Sequence, residues 1–180
     1  ARSAARMAEF GVDTPWQAFV QIRLRYYEEL LADPDMLKNN QWPHNVELLH
    51  SARHNGCKTG LATMSYCTQV QRVLAVLDLS GEFDFVASRD DVEHGKPDPE
   101  IYHLVSAELG IPPQGCLVIE DSPSGVKAAL AAGMWCIAVT TPFTRDLLHT
   151  ADLLEKRWIV DDPATLMAVI GEMLAERNQD

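Results

Sequence analysis

Apolar residues recur at helical spacing in the first third of the chain, and short continuous apolar runs follow further on. Trp16, Phe19, Val20, Leu24, Tyr27, Leu30 and Leu31 stand three and four residues apart, with Arg23, Arg25, Glu28 and Glu29 on other faces. That spacing predicts an amphipathic helix packed on a partner helix. Thr14 followed by Pro15 suits an N-cap and first helical position, and residues 1 to about 32 read as helical. A helix from about His44 to His54 carries Val46, Leu48, Leu49 and Ala52 and stops near Gly56. The next helix, opened by Ser65 or Tyr66, carries Val70, Val73, Leu74 and Leu77. Asp98, with Pro99 behind it, should cap a helix whose stripe is Ile101, Leu104, Val105 and Leu109 and whose stop is Gly110. An alanine-rich helix from Ser124 to Ala132 stops at Gly133, and a last one starts at Asp162-Pro163.

Between these helices lie strand candidates at residues 57–63, 83–87, 116–119, 135–139 and 158–160. The run Cys116–Ile119 is apolar throughout, as for a strand covered on both faces. Strand and helix alternate after the helical start. The fold class is therefore α/β, with a mostly parallel sheet, helices on both faces and a helical lobe at the N-terminal end.

In such sheets ligands bind beyond the carboxyl ends of the strands. Thr63, Lys96, Glu120 and Asp121 all fall at or just after such ends. Thr63 offers a hydroxyl, and the amides that follow it, Met64 first, can meet phosphate oxygens at a helix start. Lys96 lies in His94-Gly-Lys-Pro-Asp-Pro99, where the following proline restricts its backbone and aims an ammonium at an anion. Glu120-Asp121 ends a buried strand. Adjacent carboxylates there repel each other and resist desolvation unless a cation compensates, and oxygen donors suit a hard cation such as magnesium. Ser122 and Ser124 would orient those carboxylates or cap the next helix. Asp33-Pro34-Asp35 has the look of paired carboxylates but follows a helix and reads as a turn. Arg23 and Arg25 read as solvated helix positions.

The 180 residues, 47% of them hydrophobic, suit one domain with a small appendage. The net charge of −11 contains no basic block, which argues against nucleic acid and anionic membrane as partners. No apolar run approaches the roughly 20 residues of a membrane span. The four cysteines, Cys57, Cys67, Cys116 and Cys136, form no Cys-x-x-Cys pair. Three sit in or beside apolar runs, so they read as buried free thiols of a reducing, cytoplasmic compartment.

From about residue 12 onward the chain resembles the haloacid dehalogenase superfamily, in its beta-phosphoglucomutase and phosphoglycolate phosphatase branch. Thr63 in Gly60-Leu-Ala-Thr matches that family's second motif, Lys96 in Gly95-Lys-Pro-Asp-Pro its third, and Glu120-Asp121 in Val118-Ile-Glu-Asp-Ser its fourth. The resemblance implies a Rossmann-like doubly wound core over residues 46–180 and part of a helical cap domain over residues 1–45. It further implies Thr63, Met64 and Lys96 around the substrate phosphate and Glu120 and Asp121 around Mg2+. The activity implied is a phosphatase or phosphomutase, monomeric by default, acting on a small phosphorylated metabolite. The family's opening Asp-x-Asp-Gly-Thr, which carries the nucleophile, does not occur here. The expectation is that these residues belong to a longer chain whose nucleophile strand lies between the strands ending near Thr63 and Glu120. Two other readings remain: a binding module that keeps the pocket without turnover, and a signalling receiver domain, whose motif order differs. Dehalogenase chemistry would leave the paired carboxylates without a purpose.

Overall fold

The structure, a computed structural model, describes residues 16–177. The expected cap at Thr14 and Pro15, and the helix expected before Trp16, lie outside the described residues. Eight helices and five strands are named here in chain order. They are α1 (Trp16–Leu31), α2 (Pro34–Asn39), α3 (Pro43–His54), β1 (Gly60–Ala62), α4 (Cys67–Val76), β2 (Phe85–Ala87) and α5 (Glu100–Leu109). Then follow β3 (Leu117–Glu120), α6 (Pro123–Ala131), β4 (Trp135–Val139), α7 (Arg145–Thr150), β5 (Ile159–Val160) and α8 (Leu166–Arg177).

Every strand pairing is parallel, as the alternation of elements predicts: β1 with β2, β3 with β4, and β4 with β5. The strands fall into two sheets, β1–β2 and β3–β4–β5. Among the described residues β1 and β3 each pair on one side only. That explains a difference from expectation: Leu117, Val118 and Ile119 are half-buried, whereas Cys136 to Val139 on β4 are fully buried. A strand with neighbours on both sides is covered; a strand at a sheet edge is not.

Side chains alternate along β4 and divide the core into two layers. Cys136 and Ala138 join Ala87, Ile101, Tyr102, Val105, Val126 and Ala129, beneath α5 and α6. Ile137 and Val139 join Trp158, Val160, Leu166, Ile170 and Met173, beneath α8. Helices thus cover both faces, the doubly wound arrangement.

The helix ends follow local chemistry. Gly56, Gly110 and Gly133 all take positive φ where the expected stops fall. α5 starts one residue later than expected: Asp98 Oδ1 still accepts from the Glu100 amide at 3.0 Å, but Pro99 is the capping residue. Asp33 does not make a free turn. Its carboxylate accepts from the amides of Asp35 (3.0 Å) and Met36 (3.2 Å) and caps α2, a helix absent from the sequence reading. The N-terminal helices pack together and on α4. Leu31 is buried there, while Ile22, Tyr26 and Leu30 are exposed. No helix among the described residues is long and apolar enough to cross a membrane.

Candidate functional site

A cleft of about 650 Å³ opens where β1 and β3 end. Its lining includes Thr63, Met64, Lys96, Glu120 and Asp121, with Trp42 and Asn45 of the α3 start and Thr141 after β4. The five residues that sequence reasoning selected are thus brought together, from three separated segments of chain.

Lys96 spans the two sheets. Its ammonium donates to the Ala62 carbonyl of β1 at 3.0 Å and to Glu120 Oε1 of β3. It also lies 4.7 Å from the centroid of the Tyr102 ring. The loop that delivers it is clamped from behind by Glu100, which accepts from the amides of Glu93 (2.8 Å) and His94 (2.7 Å). The two prolines therefore share the work of shaping this loop with a carboxylate that the sequence reading did not single out.

Glu120 is 8% exposed and accepts four hydrogen bonds. Oε1 receives Lys96 and the Tyr102 hydroxyl (2.5 Å); Oε2 receives the Asp121 amide (3.1 Å) and Ser122 Oγ (3.2 Å). Burial opposes its ionisation, but the Lys96 charge and these donors prevail and hold its carboxyl below the usual range. Asp121 faces the opposite balance. Partial desolvation and then the Glu120 charge push its carboxyl above the ordinary value, while the residue still reaches solvent at the cleft. A cation beside Asp121 would relieve that tension.

Ser122 caps α6, accepting from the Gly125 amide at 3.1 Å while it holds Glu120. The helix comes close because position 125 is glycine: a Cβ there would collide with the Glu120 carboxylate. Burial, and then the Glu120 charge, push the Cys136 thiol up to about 12. It is an inert core thiol, not a nucleophile.

Thr63 is half-buried, and its Oγ1 accepts from the Ser65 amide at 3.1 Å. The α4 start is not open to anions as the sequence suggested. The amides of Tyr66 and Cys67 already go to Gln69 Oε1 (3.2 Å) and Asp90 Oδ2 (2.8 Å). Met64 lies between Thr63 and these satisfied amides, with its side chain against Gly95. Neither Asp33 nor Asp35 lines the cleft, nor do Arg23 and Arg25.

Among the described residues no three His, Cys, Asp or Glu side chains gather around one point. The donor set nonetheless fits magnesium, which is held through one or two carboxylates and completes its shell with water and substrate phosphate. Asp121 is the exposed carboxylate; Glu120 could join directly only by giving up one of its four donors. The sequence reading missed Tyr102 and Gly125. Tyr102 carried a signal, being the one hydroxyl-bearing aromatic set beside Ile101 on an apolar stripe.

Parallel strands, helices on both faces and a polar cleft at the strand ends, lined by Lys96 and the exposed Asp121, define an α/β protein of the kind that takes its ligand at that edge. The chain belongs to the haloacid dehalogenase-like hydrolase family, whose model matches residues 3–139. It is 33% identical over 171 residues to phosphoglycolate phosphatase of Escherichia coli K12, covering 92% of this chain and 66% of that one. It is 34% identical over 118 residues to validoxylamine A 7'-phosphate phosphatase of Streptomyces hygroscopicus, covering 63% of this chain. The chain spans about half the length of several curated relatives, 55% of that enzyme and 43% of hexitol phosphatase B of E. coli. Among solved structures, CbbY of Rhodobacter sphaeroides in complex with phosphate is 27% identical with a TM-score of 0.60, over 74% of this chain and 59% of that one. The beta-phosphoglucomutase of Clostridium difficile shares the fold, with a TM-score of 0.67 over 97% of this chain and 78% of its own.

Proposed function

We propose that this chain is the core, with part of a helical cap domain up to about residue 45, of a magnesium-dependent phosphoryl-transfer enzyme. Its substrate is a small phosphorylated metabolite. The observation that carries the reading is the meeting of Lys96, Thr63 and Asp121 in one cleft at the ends of parallel strands. The phosphatases among its relatives support it. In this reading Asp121 holds Mg2+, whose bound charge would offset that of the phosphoryl oxygens. Lys96 has three N–H donors and spends two on Ala62 and Glu120, so one remains for the phosphate. Thr63 Oγ and the Met64 amide hold its remaining oxygens. Glu120 anchors Lys96.

The nucleophile is an aspartate outside these 180 residues, on an extended segment between β1 and β3, attacking phosphorus to give an aspartyl-phosphate. Water then releases phosphate, as in the phosphatases it resembles. The four thiols are free, although Cys57 and Cys67 are exposed where buried thiols were expected, and free thiols fit a reducing, cytoplasmic compartment; a monomer is the default state. The test is phosphate release from a panel of sugar, polyol and glycolate phosphate esters, with Mg2+ and with chelator, on the natural full-length protein. Magnesium-dependent release from at least one ester is expected. Binding of Mg2+ and phosphate without turnover of any ester would make the protein a non-catalytic binding module instead.

A further inference from the structure

The reading above gives no role to the buried hydroxyl of Tyr102. Tyr102 is 5% exposed, on the first turn of α5, six residues after Lys96. A phenol buried in an apolar layer must find an acceptor, and this one has Glu120 Oε1 at 2.5 Å. The same oxygen receives the Lys96 ammonium, and the Tyr102 ring lies 4.7 Å from that ammonium. One side chain thus touches both members of the buried pair, one through its hydroxyl and the other through its ring.

We infer that Tyr102 is a positioning residue for anion binding, fixing Glu120 Oε1 so that Lys96 keeps its free N–H turned into the cleft. An ammonium on a four-carbon stem is otherwise a mobile point charge with three rotatable donors. Two fixed acceptors and a ring leave it one orientation. Without the Tyr102 hydroxyl the carboxylate is held by protein donors at Oε2 alone, and Oε1 can pivot with Lys96 about that side. The side chain that aims the charge touches neither phosphate nor metal. The inference rests on the reading of the cleft as a phosphate site and adds the residue that gives the site its aim.

The test uses Tyr102→Phe, which keeps the ring and the volume and removes the hydroxyl alone. Three quantities are measured on wild type and variant: the Kd of inorganic phosphate, the Kd of Mg2+ alone, and the 15N signal of the Lys96 Nζ, assigned by its absence in Lys96→Met. Phosphate binding should weaken by about three- to tenfold, the size of one ordinary hydrogen bond, because the hydroxyl acts on the anion only through Glu120 and Lys96. The Nζ signal should shift or broaden as the ammonium begins to exchange with water. Magnesium affinity should stay within twofold, because the Tyr102 hydroxyl is bonded to Glu120 and not to Asp121. Tyr102→Leu, which also removes the ring, should lose more phosphate affinity than Tyr102→Phe.

An unchanged phosphate affinity with an unchanged Nζ signal would overturn the positioning role and leave the phosphate site standing. Parallel loss of phosphate, magnesium and thermal stability in Tyr102→Phe would also overturn it, showing a packing role only. A wild-type chain that binds neither phosphate nor Mg2+ would remove the cleft reading itself, and this inference with it.

Discussion

Gly125 lies so close to Glu120 that a methyl group on its Cα would overlap the Glu120 carboxylate. The start of α6 and the end of β3 are therefore fitted to each other at one point, and that point is the residue on which Lys96 is anchored. Gly125→Ala must move either the carboxylate or the helix. The expected cost is that of overpacking, about 1–3 kcal/mol, and misplacement of Lys96 should lower turnover on the order of a hundredfold. Thermal unfolding and rate measurements on the same preparation would check both. A variant as stable and active as wild type would mean that Glu120 tolerates displacement.

Asp121→Asn keeps the shape of the exposed carboxylate and removes its charge. In the complete enzyme it should lower magnesium-dependent turnover on the order of a hundredfold or more, as loss of a metal ligand does. Desolvation and the Glu120 charge both disfavour its ionised form in the fold, so the same change should leave stability at neutral pH equal or higher. Normal magnesium dependence in the variant would remove Asp121 from the metal site.

Lys96→Met leaves Glu120 charged, buried and short of its cation. Breaking one side of a buried pair costs about 3–5 kcal/mol, so the variant should unfold at clearly lower denaturant. Lys96→Met combined with Glu120→Gln should recover much of that loss while staying inactive. A double variant no more stable than the single one would show that the two side chains act independently.

Asp161 gathers α7 onto the end of β5. It accepts from Thr140 Oγ1 (3.0 Å) and Arg145 (3.0 Å) and lies 3.1 Å from His149 Nε2. Desolvation raises its pKa, but the hydrogen bonds from His149 and Thr140 and the Arg145 charge outweigh it and hold the carboxyl below its ordinary 3.8. A depressed folded pKa adds stability above the unfolded value, lost as pH falls through the folded one. Asp161→Asn should thus be less stable than wild type at neutral pH, with the gap closing below about pH 4. Denaturation curves from pH 7 to pH 3 would show it; a gap independent of pH would refute the linkage.

Asp33 caps α2 through two amides and stands outside the cleft. Asp33→Ala should cost about 1 kcal/mol and leave turnover unchanged. A collapse of activity would mean that Asp33-Pro34-Asp35 has a chemical role after all.

Much of this architecture was legible because each segment carries its own period. Trp135 to Val139 announced a buried strand, and Gly56, Gly110 and Gly133 announced the helix ends. The four polar residues at strand ends were legible for a different reason. Topology sends all parallel strands toward one edge, so residues distant in sequence are predicted to meet. What stayed hidden was pairing. Nothing local to Tyr102 says that its hydroxyl reaches residue 120, and nothing local to Gly125 says that a carboxylate lies against it. Likewise the Cys67 amide could be read as free for an anion, because Asp90, which takes it, lies 23 residues further on. The half-burial of β3 was hidden too, since an apolar run reports what a strand needs covered and not which neighbours cover it.

Glu120 receives donors from the loop at residue 96, from α5, from its own following amide and from the cap of α6. One carboxylate therefore closes loops of unequal length, and those loops cannot be completed one at a time without stranding a charge in the core. The residue that anchors Lys96 in the cleft is therefore also the one that ties three segments of the core together. Natural variation should be tolerated at the rim, around Trp42 and Asn45, long before it is tolerated at residues 96, 102, 120 and 125.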